Sequence, residues 1–132
     1  MYELIIKGEF SAAHHLRGYK GKCEKLHGHN YGVELYVHHN NLDKLGIAID
    51  FTILKKLLDR VLTEYDHRYL NKLKDFAKLN PTAENIAYTI HRKIKKKLCP
   101  DKRPSGRVTE TSKIKVCIWE SAKTGACYYD VM

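Results

Sequence analysis

The chain has 132 residues, enough for one globular domain (residues 1–132) with a substantial core and too few for two. Its 43% hydrophobic and 30% charged residues exclude a disordered chain, and no apolar run approaches the roughly 18 residues that span a bilayer. The net charge of +9 fits nucleic acid, an anionic surface or an acidic small substrate, but aromatic residues are not interleaved with the lysines as a nucleic-acid stacking platform requires.

Two segments in the first third of the chain alternate apolar and polar residues, a pattern typical of β-strands. The even positions are apolar from Tyr2 to His14, and the odd positions are apolar from His27 to His39. A loop that contains glycines joins the two segments, so we expect an antiparallel pair. The two rows are Leu4, Ile6, Phe10 and Ala12, and Tyr31, Val33, Leu35 and Val37.

The apolar period then changes to three and four residues, which indicates two helices. Asp50 or Thr52 can cap the start of the first helix, and Thr82 can cap the second, which follows Asn80-Pro81. The breaker-rich segment Pro100–Gly106 predicts a mobile loop. The apolar faces comprise Phe51, Leu54, Leu57, Leu58, Val61, Leu62 and Tyr65 in the first helix, and Ile86, Ala87, Ile90, Ile94 and Leu98 in the second.

Two closing strands are predicted at Lys113–Glu120 and Ala126–Val131. Strands and helices that cluster in the order ββααββ, rather than alternate, predict an α+β fold. We therefore expect an antiparallel four-stranded sheet with two helices on one face. Such a sheet has two exposed edges, and because exposed edges are usually covered or paired, we expect association through the sheet.

The four cysteines are interpreted as reduced thiols. None of them forms a CxxC pair, and the start of the chain lacks the basic leader and apolar stretch of a signal peptide, so we expect a cytoplasmic protein. We interpret Cys99, Cys117 and Cys127 as packing residues. Cys23 lies beside a histidine cluster and is considered separately.

His27-Gly28-His29 is the sharpest local feature. Residues i and i+2 of a strand project to the same face, so the two imidazoles can approach one ion. His14 ends the preceding strand, and an antiparallel neighbour would bring it to the same point. Three imidazoles with one open position match a catalytic Zn²⁺ site better than a closed structural one.

Three further features are compatible with chemistry or with an ordinary structural role. Cys23 falls in the loop before His27 and is either a thiolate base or an ordinary loop cysteine. Asp66-His67 follows the first helix and is either a proton-transfer pair or a polar helix end. Glu120 closes a core-facing row, so it either turns outward or awaits a ligand with paired N–H donors.

Taken together and in order, these motifs resemble those of the 6-pyruvoyl-tetrahydropterin synthase and 6-carboxytetrahydropterin synthase family. The resemblance implies a tunnelling fold, in which three subunits close a β-barrel and two trimers stack into a homo-hexamer. The match covers nearly the whole chain. Its parts are Phe10–Leu16, Cys23–Tyr31, Asp50-Phe51, Asp66-His67, Leu70-Asn71, Pro81–Asn85 and the strand that ends at Glu120.

The resemblance also implies residue roles and a substrate. The substrate is expected to be 7,8-dihydroneopterin triphosphate, whose negative charge complements the positive net charge of the chain. Glu120 would anchor the pterin ring, since a carboxylate accepts two parallel N–H bonds from a 2-amino-4-oxo pyrimidine edge. The implied sets are His14, His27 and His29 for Zn²⁺, Cys23, Asp66 and His67 for proton transfer, and Thr82, Glu84 and Asn85 for the pterin pocket.

The expected product depends on the loop before His27. The spacing of Cys23 resembles the carboxy-type lyases of queuosine synthesis, which form 6-carboxy-5,6,7,8-tetrahydropterin. Glu24 resembles the type III variants, which cleave the side chain to 6-hydroxymethyl-7,8-dihydropterin for folate synthesis. Formation of 6-pyruvoyl-tetrahydropterin is a further alternative. A non-catalytic zinc-containing pterin-binding module and an RNA-binding basic domain are the alternatives from other classes.

Overall fold

The strands β1 (Tyr2–His14) and β2 (His27–His39) form the longest pair in the computed structural model, which describes residues 1–21, 25–98 and 113–130. They run antiparallel, with Tyr2 opposite His39 and His14 opposite His27. The bounds predicted from the alternating pattern are confirmed. The two apolar rows face one side of the sheet, so the register places both rows on the core side, whereas Ile5 on the opposite face is 47% exposed.

Among the described residues, the sheet has five strands in the order β3-β1-β2-β4-β5, one more than predicted. Strands β4 (Ile114–Trp119) and β5 (Gly125–Tyr129) are antiparallel to their neighbours, as expected. The additional strand β3 (Arg68–Tyr69) pairs parallel with β1 beside Ala12 and Ala13. Two residues are too few to show an alternating pattern, which is why β3 was not predicted.

Helix α1 (Phe51–Thr63) begins at an aspartate cap. The N–H of Thr52 donates to Oδ1 of Asp50 at 2.8 Å, so Asp50 and not Thr52 is the capping residue. Phe51 was predicted in the buried face, but 59% of it is exposed because it occupies the first helical position, outside the buried stripe. That stripe consists of Leu54, Leu58, Val61 and Leu62.

Helix α2 (Ala83–Leu98) begins where the sequence predicted. The N–H of Asn85 donates to Oγ1 of Thr82 at 3.1 Å, which confirms Thr82 as the cap. All five residues of its predicted apolar row are buried, and they join α1 and the inner face of the sheet in one core. Each leucine or isoleucine among them contributes roughly 1.5–3 kcal/mol on burial. The α+β architecture with both helices on one face is confirmed.

Cys117 and Cys127 form a disulfide, so the expectation of reduced thiols is wrong for this pair. They lie directly opposite each other in the β4–β5 ladder, with their Cα atoms 4.0 Å apart. The pairing arises from strand register, which a search for CxxC motifs does not detect. Cys99 and the Pro100–Gly106 loop lie outside the described residues. No helix in the described ranges is long and apolar enough to cross a membrane.

Candidate metal centre and adjoining cavities

Three histidines meet where β1 ends and β2 begins. His14 is the last residue of β1 and lies opposite His27, the first residue of β2, while His29 follows on the same face. One ring nitrogen from each residue lies within 4.8 Å of the other two. The predicted convergence of these three imidazoles is therefore present, and the three residues could hold a metal ion.

The hydrogen bonds of two imidazoles fix which nitrogens face each other. Nδ1 of His14 lies 2.7 Å from the carbonyl oxygen of Pro81, and Nδ1 of His27 lies 2.7 Å from that of Lys25. A carbonyl oxygen only accepts, so both Nδ1 atoms carry the proton. The two Nε2 atoms, only 2.9 Å apart, then point lone pairs at each other. A cation bound by both nitrogens removes this repulsion, so the donor set fits a metal ion.

Electrostatics keep two of these imidazoles neutral, the form that binds metal. Burial is the main cause of the lowered pKa of His14. The hydrogen bond to Pro81 acts to raise this pKa, and the nearby imidazole of His27 lowers it further. Burial also lowers the pKa of His29, against the opposing charge of Glu120. Neutral imidazoles in a partly buried cluster are the ligands that Zn²⁺ accepts.

Tyr31 is a site residue that sequence reasoning had placed only in the core. Its ring centroid lies 5.8 Å from that of His14 and 5.4 Å from that of His29, and the residue is fully buried. Its hydroxyl has no hydrogen-bond partner among the described residues. Burial, with the charge of Glu120, raises its pKa, so the hydroxyl stays protonated. The signal in the sequence was its position in the same odd row as the two β2 histidines.

The three histidines that could hold a metal ion are called the metal cluster below. A cavity of about 260 Å³ adjoins them on the side of α2. It brings His14 together with three residues that were predicted to bind the pterin: Thr82, Glu84 and Glu120. The fourth, Asn85, does not line it; its side-chain amide donates to the carbonyl oxygen of Asn80 at 2.9 Å. The remaining lining residues are Leu16, Ala83, Thr124 and Gly125.

Glu120 is positioned by the turn between β4 and β5. It follows the last residue of β4, and its N–H donates to the carbonyl oxygen of Thr124 at 3.0 Å. The side chain is only partly exposed, and its charge acts to raise the pKa of both His14 and His29. The carboxylate therefore lies near the metal cluster as well as in the cavity.

The side chains of Asp66 and His67 contact each other at the outer edge of β1. Oδ2 of Asp66 lies 2.9 Å from Nδ1 of His67, and Oδ1 accepts the N–H of Ser11, which is the main cause of the lowered pKa of Asp66. His67 has a positive φ of 58° and donates its N–H to the carbonyl oxygen of Ser11 at 2.6 Å.

The imidazole of His67 is open to solvent. Its side chain is 82% exposed, and His67 and His29 line the same cavity of about 550 Å³. Cys23 and Glu24, predicted to act near this point, lie outside the described residues, and their roles remain predictions.

The fold and this site define a class of small α+β protein in which three histidines from two adjacent strands could hold a metal ion beside a cavity that a carboxylate lines. A family model described as 6-pyruvoyl tetrahydropterin synthase matches residues 3–130. The chain belongs to this family, as its motifs predicted.

Proteins with several different names are similar to this chain. It is 42% identical over 98 residues to a dihydroneopterin monophosphate aldolase from Pyrococcus furiosus, an alignment covering 74% of this chain and 79% of that protein. It is 34% identical over 110 residues to a 6-carboxy-5,6,7,8-tetrahydropterin synthase from Rickettsia typhi, covering 70% and 80%. The solved structure of Caenorhabditis elegans 6-pyruvoyl tetrahydropterin synthase superposes with a TM-score of 0.80 at 30% identity, covering 98% and 96%.

Proposed function

We propose that this chain is a zinc-dependent lyase that converts 7,8-dihydroneopterin triphosphate to 6-carboxy-5,6,7,8-tetrahydropterin, with release of acetaldehyde and triphosphate. The observation that carries the proposal is that His14 of the metal cluster and Glu120 line one cavity. A ring held by the carboxylate would extend its side chain toward the imidazole cluster. The family and the name of the Rickettsia typhi relative support this choice of reaction.

His14, His27 and His29 would hold the Zn²⁺, which when bound acts as a Lewis acid on the hydroxyls of the substrate side chain. Glu120 accepts two N–H bonds from the pyrimidine edge and so fixes the ring. Thr82 and Glu84 lie in the same cavity, at the start of α2, where they can complete the pterin contacts. Asn85 supports this segment through its bond to Asn80.

Proton transfer in this proposal belongs to His67, oriented by Asp66, together with the Cys23 thiolate. The Asp66 carboxylate holds the Nδ1 proton of His67, which leaves Nε2 as the exchanging atom. The exposed ring lines a cavity that His29 also lines. This pair argues against a module that only binds pterins.

A second candidate reaction is cleavage of the side chain to 6-hydroxymethyl-7,8-dihydropterin. It is favoured by the 42% identity to a dihydroneopterin monophosphate aldolase and by Glu24 directly after Cys23. The two candidates differ in product and in the number of phosphates on the substrate. Both use the same ring anchor and the same metal cluster.

The deciding experiment incubates the zinc-loaded protein separately with dihydroneopterin triphosphate and monophosphate and identifies the products by mass spectrometry. We expect 6-carboxytetrahydropterin from the triphosphate; hydroxymethyldihydropterin from the monophosphate alone would assign the aldolase reaction. Pterin binding without any product would indicate the non-catalytic module. Glu120→Gln, which keeps the shape but removes the charge, should lower kcat/KM about 10- to 100-fold, whereas Glu64→Gln, at the C-terminal cap of α1 and outside the lining of the cavity, should not.

Variants of the loop separate the two reactions within one protein. If Cys23 transfers the proton for carboxytetrahydropterin formation, Cys23→Ala abolishes that product with zinc still bound. If Glu24 supports carbon–carbon cleavage, Glu24→Ala selectively loses hydroxymethyldihydropterin, since a thiolate and a carboxylate differ in basicity and reach. An unchanged product distribution in Glu24→Ala would assign Glu24 to the solvated loop.

A further inference from the structure

Two asparagine side chains hold the backbone that leaves the sheet after His14. The N–H of His15 donates to Oδ1 of Asn71 and Nδ2 of Asn71 donates to the carbonyl oxygen of His15, both at 2.9 Å. Asn80 makes the same two bonds to Arg17, again both at 2.9 Å. Each side-chain amide thus supplies the acceptor and the donor that a neighbouring strand would supply.

The two asparagines differ in their neighbours along the chain, because only Asn80 adjoins a residue that makes a hydrogen bond with a metal ligand. Asn80 immediately precedes Pro81, whose carbonyl oxygen accepts the Nδ1 proton of His14 at 2.7 Å. The carbonyl oxygen of Asn80 accepts from the N–H of Thr82 and from Nδ2 of Asn85, both at 2.9 Å. Asn80 is therefore fixed at its side chain and at its carbonyl. The ring of Pro81 restricts the φ angle that separates the carbonyl of Asn80 from the carbonyl of Pro81.

We propose that Asn80 is a positioning residue for the metal ligand His14. Its side-chain amide ties the segment that carries the Pro81 carbonyl to the segment that follows His14. The bond from His14 to Pro81 then selects the tautomer that presents Nε2 to the metal, because Nδ1 must carry the proton. Groups that orient a ligand from outside the coordination sphere typically change metal affinity 10- to 100-fold. The inference rests on the metal site of the proposed function and not on the reaction.

Few other contacts can replace this tie. In the described residues, the guanidinium of Arg17 also contacts the segment 71–79. It donates to the carbonyl oxygens of Asn71, Phe76 and Leu79 at 3.2, 2.6 and 3.4 Å. The two shorter bonds hold the chain at Phe76 and Asn71, five and ten residues before Pro81. Without the Asn80 amide, the carbonyl of Pro81 has greater freedom relative to His14.

The test compares Asn80→Leu with Asn71→Leu, two near-isosteric changes that each remove one pair of bonds. Zinc affinity is measured by competition with a chromophoric chelator. We expect the dissociation constant to rise about tenfold in Asn80→Leu and to stay within about twofold of wild type in Asn71→Leu. Equal weakening in both variants would mean general loosening of the segment and would overturn the proposal, as would an unchanged constant in Asn80→Leu.

The tautomer of His14 provides a readout that needs neither metal nor substrate. In the metal-free protein, ¹⁵N NMR should report the Nδ1–H form in wild type and in Asn71→Leu, and a mixture in Asn80→Leu. A wild-type protein that binds no zinc would refute the metal site, while the tautomer would still decide the role of Asn80. Asn80→Asp, which keeps the acceptor and loses the donor, repeats the test should Asn80→Leu not fold, and a wild-type tautomer and zinc affinity there would likewise overturn it.

Discussion

The hydroxyl of Tyr31 is a buried polar group with no hydrogen-bond partner among the described residues, an arrangement that folded proteins usually avoid. The side chain is fully buried, with its ring stacked on Phe10 at a centroid distance of 4.8 Å. A buried polar group without a partner costs about 1–3 kcal/mol, and such groups are retained at functional sites more often than elsewhere. Its neighbours are two imidazoles of the metal cluster, His14 and His29.

Tyr31→Phe should therefore stabilise the metal-free protein. Removing the hydroxyl leaves the aromatic packing in place and eliminates the desolvation cost, so we expect the free energy of unfolding to rise by about 1 kcal/mol in urea denaturation. Tyr65→Phe is the matched control, because Tyr65 is equally buried but its hydroxyl donates to Oδ2 of Asp75 at 2.9 Å. That variant should lose stability; a loss in both would show that Tyr31 has a partner in solution.

At the scale of elements, the packing of α2 against β5 places an imidazole in the interior. His91 is 4% exposed, and Tyr128 lies edge-on at a centroid distance of 4.8 Å. Asp130 faces His91 at 3.4 Å and binds Nζ of Lys95 at 2.9 Å. Burial lowers the pKa of His91 more strongly than Asp130 raises it.

This burial predicts a pH dependence of stability. The pKa of His91 is lower in the folded than in the unfolded chain, so the contribution is full above about pH 6.5 and is lost as the pH falls. Urea unfolding of the metal-free protein should show a steeper loss from pH 7 to 5 in wild type than in His91→Gln. The difference in slope is at most about 1.4 kcal/mol per pH unit, and identical slopes would contradict the prediction.

The elements that the sequence predicted well are those with a long hydrophobic pattern. Thirteen residues of alternation fixed both ends of β1 and of β2, and a capping residue fixed the start of each helix. The two residues of β3 pair with β1 because Asp66 and His67 dock on Ser11, a tertiary effect with no local signal. The disulfide depends on register in the same way.

The sequence predicted the metal ligands of the candidate site but not the residues that hold those ligands in place. The spacing of His27 and His29 and the position of His14 sufficed to predict the cluster, since strand geometry alone brings them together. The carbonyl of Pro81 and the amide of Asn80 come from a segment more than sixty residues away, so only the tertiary fold places them.

For the whole molecule, bound zinc should add to stability because only the folded chain assembles the cluster. At a free zinc concentration 100 times the dissociation constant, the gain is about 2.7 kcal/mol, or roughly 10 °C in Tm for a chain of this length. His27→Ala should lose both the bound zinc and the shift. His15→Ala is the control, because His15 adjoins His14 but bonds to Tyr69 instead; loss of the shift there as well would contradict the assignment.

Assembly is predicted from the edges of the sheet. β3 pairs with β1 only at Ala12 and Ala13, and β5 has no strand on its outer side among the described residues. We expect light scattering to give a mass above that of a monomer, with a hexamer as the family resemblance implies. Tyr129→Pro removes an N–H from the outer edge of β5 and should reduce that mass. A monomeric, active wild-type protein would rule this out.

Because a disulfide links β4 and β5, the redox conditions around the protein affect the hairpin beside the proposed pterin site. Cys117 and Cys127 lie in the same two strands whose turn presents Glu120 and Thr124 to the cavity. Reduction of that link leaves the ladder hydrogen bonds but releases the cross-strand tie at the base of the turn. A reductant added to protect Cys23 would therefore also change the hairpin that carries Glu120, the proposed ring anchor, so ligand affinities measured with and without reductant would describe two covalent forms of the protein.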